Sequence, residues 1–353
     1  MGFAVASDVP LAPLTTLELG GPARFFVRAE DEATVAQALH WARGRGLPVF
    51  VLGGGSNLVV SDDGFEGLVL QAALPGLTFR EEGGEVLVEA GAGQPWDALV
   101  AEAVGRGLGG VECLSGIPGF VGATPIQNVG AYGQEVSETI RRVRVLDRAT
   151  QVVSELDPGA CGFGYRDSNF KRAPERHVVL AVTFALRPGG APTIRYPELR
   201  AAVAEGASLP EVRETVLALR RRKSMVLDPT DENRRSAGSF FMNPVVASEE
   251  AERVAAQAVA EGLAADAAQV PRFPAPGGVK LAAGWLIERA GIAKGLRQGS
   301  VGISSRHALA LVHHGGGTTA ELLGLARLVR DTVAARFGVR LVPEPTLLSA
   351  SLD

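Results

Sequence analysis

Cysteine is scarce in this chain: Cys113 and Cys161 are the only two among 353 residues. Two thiols are too few for a disulfide framework, which excludes a small stapled secreted scaffold and fits a reduced cytoplasm. Neither has a Cys or His partner nearby in sequence, so both read as packing thiols. Histidine is also sparse; the five, at 40, 177, 307, 313 and 314, show no metal-ligand spacing. No apolar stretch reaches the roughly 18 residues of a membrane span, and the longest, 178–186, suits a buried strand. The opening residues, MGFAVASDVPLAPLTTLELGG, carry no basic n-region and are broken by prolines and acids, so no signal peptide is expected. Nor is there a basic block large enough for a nucleic-acid arm. The nearest run, Arg220 to Lys223, is short, closes a helical pattern and reads as a solvated face.

What is present is ordinary globular material in quantity. Hydrophobic residues make up 46% and charged residues 21%, with a net charge of −4, so neither disorder nor polyanion binding is indicated. The length exceeds what one core usually fills, which predicts two or three domains. Apolar spacing predicts a helix within 30–46, and PVFVL (48–52) reads as a strand buried on both faces. That strand runs into GGGSN (53–57), then into LVV and FEGLVL, both strand-like. EVLVEAGAG reads as strand and turn, followed by a helix that starts at Pro95. Segment 112–133, ECLSGIPGFVGATPIQNVGAYG, has too much glycine and proline for regular structure, and long loops of this kind inside a compact domain are usually functional. Strands resume with VRVLDRATQVVSEL and HVVLAVTFAL. A composition shift at 187–199 predicts a domain boundary, and helices are expected over 211–223, 248–262, 281–290 and 318–337. Thr318 or Thr319 would cap the last of these and Gly338 would end it.

GGGSN after a buried strand suits an anion cradle, because glycine lets successive N–H groups converge on an oxyanion. A tight turn between strands is the plain alternative. It is no dinucleotide-fold fingerprint, since no G-x-G-x-x-G opens a helix, and no P-loop, since no Lys-Ser/Thr follows. The second glycine-rich segment changes the balance, because two backbone cradles could hold one pyrophosphate and its attached ring system. In SAGSFFMNP (236–244), Ser239 stands between a glycine and two phenylalanines. A turn serine capping a backbone group is the simple explanation; an alcohol wanted for chemistry is the other.

Taken in order, GGGSN, SGIPGFVGATPIQNVGAYGQEV, CGFGYRDSNFK, SAGSFFMNP, GWLIERAGIAKG and the terminal PEP resemble the UDP-N-acetylenolpyruvoylglucosamine reductases. The resemblance spans roughly residues 14 to 348. It implies an α+β fold: an FAD-binding domain of the vanillyl-alcohol-oxidase type in two subdomains, 1–70 and 71–190. A substrate domain over 191–353 follows, its last segment returning to the active site. It implies FAD and NADPH as cofactor and hydride donor, a UDP-sugar substrate, a monomer, and peptidoglycan precursor synthesis. Gly53, Gly54, Gly55, Ser56 and Asn57 would hold the FAD pyrophosphate. Ser115, Gly116, Gly119, Gly122, Ala123, Gln127 and Gly130 would line the rest of the cofactor. Some relatives in the wider fold link flavin to a histidine near the first loop; no histidine lies between His40 and His177 here, so non-covalent FAD is expected.

By the same resemblance Ser239 matches the proton donor, Arg166 the catalytic arginine and Glu344 the catalytic glutamate. The bland alternative for Arg166 is an ion pair with Asp167 or another surface acid. Glu344 would donate a hydrogen bond if protonated, or orient its neighbours if ionised. Tyr196 matches a loop tyrosine that one subclass closes over the substrate diphosphate. Lys223, Asn243 and Lys280 would bind substrate. Two rivals stay open at this point: another flavin oxidoreductase of the same fold, and a nucleotide-sugar-binding protein without turnover.

Overall fold

The computed structural model describes residues 3–353. They divide into two compact units, the first running up to Val9 and comprising Pro22–Gly55 and Phe65–Leu227 as well. The second comprises Pro10–Gly21, Ser56–Gly64 and Asp228–Asp353.

The first unit holds two large sheets and a small two-stranded one, Gly130–Ala131 with Gln134–Glu135. One large sheet orders the strands Ala6–Pro10, Pro22–Ala29, Phe65–Ala72 and Val49–Leu52, and the last three are parallel. Strand Phe65–Ala72 lies between two parallel neighbours, which is why its last six residues are all buried and read as one apolar run. Helix Glu32–Arg43 packs Val35, Ala38, Leu39 and Ala42 against Val27, Leu68 and Leu70. Asp31 starts it by accepting the Thr34 N–H at 2.6 Å.

The other large sheet is antiparallel and follows the order Val153–Leu156, Ile140–Asp147, His177–Pro188, Glu85–Gly91, Leu77–Glu82. Helix Trp96–Gly105 covers it, with the Trp96 ring 5.6 Å from that of Phe184 and its Nε1–H donating to the Leu114 carbonyl at 3.0 Å. That bond begins to tether the irregular segment 112–133. Cys113 and Cys161 are both fully buried, and burial pushes both thiols up to about 12, so they pack and do not react.

The boundary expected near residue 190 lies elsewhere. Helices Pro197–Ala202 and Leu209–Arg222 belong to the first unit, because Leu199, Val212, Val216 and Leu219 bury against Cys113. The composition shift marks a loop on that unit, and the second unit resumes only at Asp228.

The second unit contains two three-stranded antiparallel sheets. Val245–Val246, Gly278–Leu281 and Arg272–Ala275 form one; Arg297–Gln298, Val301–Ile303 and Leu311–His313 form the other. Helices Ser248–Ala260, Ala283–Arg289 and Thr319–Phe337 pack into one core around Phe240, Phe241, Val254, Ile287, Val329 and Phe337. Thr318 closes a capping box with Glu321, and Gly338 at φ 70° ends the last helix. Two pieces of the N-terminal chain enter this unit. Leu17 and Leu19 join its core, and Leu58–Val60 pairs in parallel with Thr346–Leu348.

Candidate functional site

In the first unit, strand Val49–Leu52 delivers Gly53, Gly54 and Gly55 to its end. A Cβ on Gly54 would stand 2.7 Å from Gly119 Cα and 3.1 Å from Phe120 N. The two glycine-rich loops therefore meet backbone against backbone, and only glycine permits it. Gly53 faces the Ala123 methyl, and a Cβ on Gly122 would lie 2.6 Å from Ala92 Cβ. Gly53 is held from behind by Gln71, whose Nε2 reaches its carbonyl at 3.4 Å.

The Gly116 turn (φ 72°) is fastened at both peptide groups. Its N–H donates to Asp97 Oδ1 at 2.6 Å, and the same carboxylate takes two bonds from Arg213 at 2.6 and 2.9 Å. Burial pushes the Asp97 carboxyl up, but the Arg213 bonds and the Gly116 amide outweigh it and hold the group below the usual range. The Gly116 carbonyl accepts from Arg220 at 3.3 Å. Arg220 Nε is buried and has no partner among the described residues. Side-chain-free loops and a buried guanidinium with an unused donor fit the diphosphate of a dinucleotide cofactor. Ser115 spends its hydroxyl locally, on the Glu112 carbonyl at 2.6 Å. Gln127 and Gly130 continue the same segment.

Arg166 sits in a tight hairpin closed by Gly164 N–H to Asp167 carbonyl (2.9 Å) and the reverse bond (3.2 Å). Its φ of 53° is unusual for a side chain of this size. The guanidinium donates to the Gly130 carbonyl at 2.6 Å, at the end of the second glycine-rich segment. Asp167, the neighbouring acid, is engaged by Arg172. Buried Asn128 braces this hairpin, donating to the Gly164 carbonyl at 3.0 Å and to Glu135 at 2.7 Å.

Tyr196 is 44% exposed and stands edge-on to Tyr132, ring centres 5.7 Å apart. Lys223 lies 5.9 Å from the Tyr132 ring centre and pairs with Glu198 at 2.5 Å. Burial pushes Tyr132 up to about 12 and raises Tyr196 as well, so both phenols remain donors at neutral pH. Residues 27 apart in sequence are thus brought into one cluster of phenol and ammonium donors. The basic run 220–223 is a solvated face only at Arg221 and Arg222; Arg220 and Lys223, one helical turn apart, point inward.

In the second unit, Phe240 and Phe241 are each 1% exposed and anchor the SAGSFF segment in the core. Phe240 N–H donates to the Leu309 carbonyl at 2.7 Å, and Glu344 N–H donates to the Phe240 carbonyl at 2.8 Å. Ser239 is consequently fixed on a strand-like segment beside the Glu344 segment. It is half-buried, and its hydroxyl makes no hydrogen bond among the described residues. A capping serine would show one. Asn57 Nδ2 reaches the Glu344 carbonyl at 3.4 Å. Asn243 Oδ1 caps helix Ala283–Arg289 through the Ala283 N–H at 2.9 Å. Lys280 stands between Val245 and Phe273 on one sheet face.

Sequence reasoning missed Gln71, Asp97, Asn128 and Arg220. Only Arg220 left a signal, its three-residue spacing from Lys223; the others work through folded neighbours.

The described geometry has close parallels among known proteins. Residues 23–155 match an FAD binding domain, and residues 228–348 match the C-terminal domain of UDP-N-acetylenolpyruvoylglucosamine reductase. The chain is 52% identical to the UDP-N-acetylenolpyruvoylglucosamine reductase of Nocardia farcinica, covering 99% of this chain and 91% of that one. It is 50% identical to that of Thermobifida fusca, with 100% of both covered. The crystal structure of the corresponding reductase from Thermus caldophilus superposes with a TM-score of 0.67 at 27% identity, covering 98% and 99% of the two chains.

Proposed function

The chain belongs to the UDP-N-acetylenolpyruvoylglucosamine reductase family, and within that activity we propose that Ser239, Arg166 and Glu344 carry the chemistry. The reaction is the NADPH-dependent reduction of UDP-N-acetylglucosamine enolpyruvate to UDP-N-acetylmuramate through FAD. FAD, when bound, supplies the hydride, taken from NADPH, that adds to the terminal vinyl carbon. The chain's own task is to manage the charge and the proton this addition requires.

Negative charge develops on the carbon bearing the ether oxygen and spreads into its carboxylate. A fork of guanidinium donors from Arg166 binds that carboxylate and gains strength as its charge grows. The Ser239 hydroxyl, fully protonated at neutral pH, gives its proton to the strongly basic carbon. Glu344, held through its backbone to Phe240, presents a carboxyl on a stiff segment between two prolines. There it hydrogen-bonds the developing enediolate when protonated and orients Ser239 when ionised. Tyr196 and Lys223, and from the second unit Asn243 and Lys280, bind the UDP diphosphate and nucleotide. Gly53 to Asn57 and the segment Ser115 to Gly130 hold FAD without a covalent link. Tyr196 supports assigning the chain to the subclass that closes a loop over substrate. We assign the reaction to the cytoplasm and to the supply of peptidoglycan precursor; no helix among the described residues is long and apolar enough to cross a membrane.

The observation that carries the assignment is the Ser239 hydroxyl, rigidly placed and without structural duty. Its test is Ser239→Ala followed by stopped-flow absorbance. NADPH is expected to bleach the bound flavin at nearly the normal rate, while reoxidation by the enolpyruvyl substrate slows by about two orders of magnitude or more. Equal loss in both half-reactions would make Ser239 a support for the pocket and overturn the assignment.

A further inference from the structure

The two segments that present Ser239 and Glu344 are joined to the end of the GGGSN loop by a closed circuit of hydrogen bonds, and Thr16 completes it. Thr16 Oγ1–H donates to the Ser236 carbonyl at 2.6 Å, and the same oxygen lies 3.3 Å from the Ser56 carbonyl. From Ser236 the chain passes through Gly238, at φ 75°, and Ser239 to Phe240, whose carbonyl accepts the Glu344 N–H at 2.8 Å. The Glu344 carbonyl accepts from Asn57 Nδ2 at 3.4 Å. Asn57 follows Ser56, whose carbonyl faces Thr16 again.

We propose that Thr16 is a positioning residue that couples the cofactor loop to the proton donor. The proposal rests on Ser239 as donor and adds what sets its place. A peptide group is planar and trans, so a Ser56 carbonyl held towards Thr16 turns the Asn57 N–H to the opposite side. The hydroxyl has one hydrogen for two carbonyls and shares it, mainly with Ser236 at 2.6 Å, three residues before the donor, and more weakly with Ser56 at 3.3 Å. Thr16 is itself held firmly: Leu17 beside it is 1% exposed, and the Leu17 carbonyl accepts His313 Nδ1–H at 3.0 Å while His313 Nε2 accepts the Gly317 N–H at 3.0 Å. A valine in place of Thr16 would keep the shape and leave the Ser236 carbonyl without its donor. The segment leading to Ser239 would then lose one of its tethers between the bonds at Arg235 and Phe240, and Gly238 lets it shift.

The test compares Thr16→Val, Thr16→Ser, Ser239→Ala and the Thr16→Val/Ser239→Ala double variant, each as the FAD-loaded full chain. Thr16→Val is expected to slow flavin reoxidation by the enolpyruvyl substrate by about tenfold while flavin reduction by NADPH stays within about twofold. Thr16→Ser restores the hydroxyl and with it the rate. In the double variant Thr16→Val adds no further slowing, because with the Ser239 hydroxyl gone there is no proton donor left to misplace. Unchanged reoxidation in Thr16→Val, equal slowing of both half-reactions, or additive losses in the double variant would each overturn the proposal. Should Ser239→Ala itself reoxidise normally, the donor assignment fails, and that result reads separately from Thr16.

Discussion

At the scale of single residues, the side chains assigned to chemistry share one property: what surrounds them is spent on holding them still. Arg166 is held through a left-handed hairpin and the Gly130 carbonyl; Ser239 through the bonds on either side of it. Burial works differently on Tyr196, which keeps its proton and so keeps a donor for an anionic substrate. Replacing Tyr196 by Phe removes only that hydroxyl, since its edge contact with Tyr132 survives. Substrate KM is expected to rise about tenfold, the scale of one hydrogen bond to a charged group, with NADPH half-reaction kinetics unchanged in stopped flow. An unaltered KM would remove Tyr196 from the substrate site. That Tyr196 and Lys223 belong together was invisible in sequence, because the ring of Tyr132 and the carboxylate of Glu198 bring them together only after folding.

At the scale of elements, the two glycine-rich loops depend on each other. Gly54 and Gly119 approach so closely that any side chain must move backbone, not a flexible tip. Gly54→Ala is therefore expected to purify colourless, or to lose FAD on dilution, while far-UV circular dichroism stays near normal; the strain falls on a loop at a cost of about 1–3 kcal/mol. A variant that kept its flavin with normal affinity would show that the loops part without harm. Both loops were legible as loops from composition alone, while for GGGSN the residues left a cradle and a tight turn equally open. The loops' mutual contact was not legible, since no local pattern encodes which backbone a glycine makes room for. The anchors Asp97 and Asn128 were hidden for the same reason: an acid in a helix and an amide in a loop look alike whatever they hold.

At the scale of the whole molecule, the chain does not fold in the order in which it is written. Residues 10–21 and 56–64 belong with 228–353, and Leu17, Leu19 and Val59 are buried there at 1%, 4% and 1% exposure. Three buried aliphatic side chains contribute roughly 5–9 kcal/mol, the order of a small domain's entire stability. A fragment of residues 228–353 is therefore expected to show no cooperative thermal transition by circular dichroism. A sharp melt close to that of the full chain would refute this. Helix caps, by contrast, were readable at once: Thr318, Glu321 and Gly338 act on neighbours within one turn.

The amino-acid sequence alone determined most of the strands and longer helices, the two glycine-rich loops, and a set of ordered motifs sufficient to name the chemistry. These depend on residues a few positions apart, whose propensities and periods act locally. Only the tertiary structure decided where the first unit ends, that two short N-terminal segments complete the second, and which plain residues, from Gln71 to Thr16, bond to the segments that carry the proposed site. Those outcomes depend on burial and hydrogen bonds between groups up to a few hundred residues apart, which exist only once the chain has closed on itself.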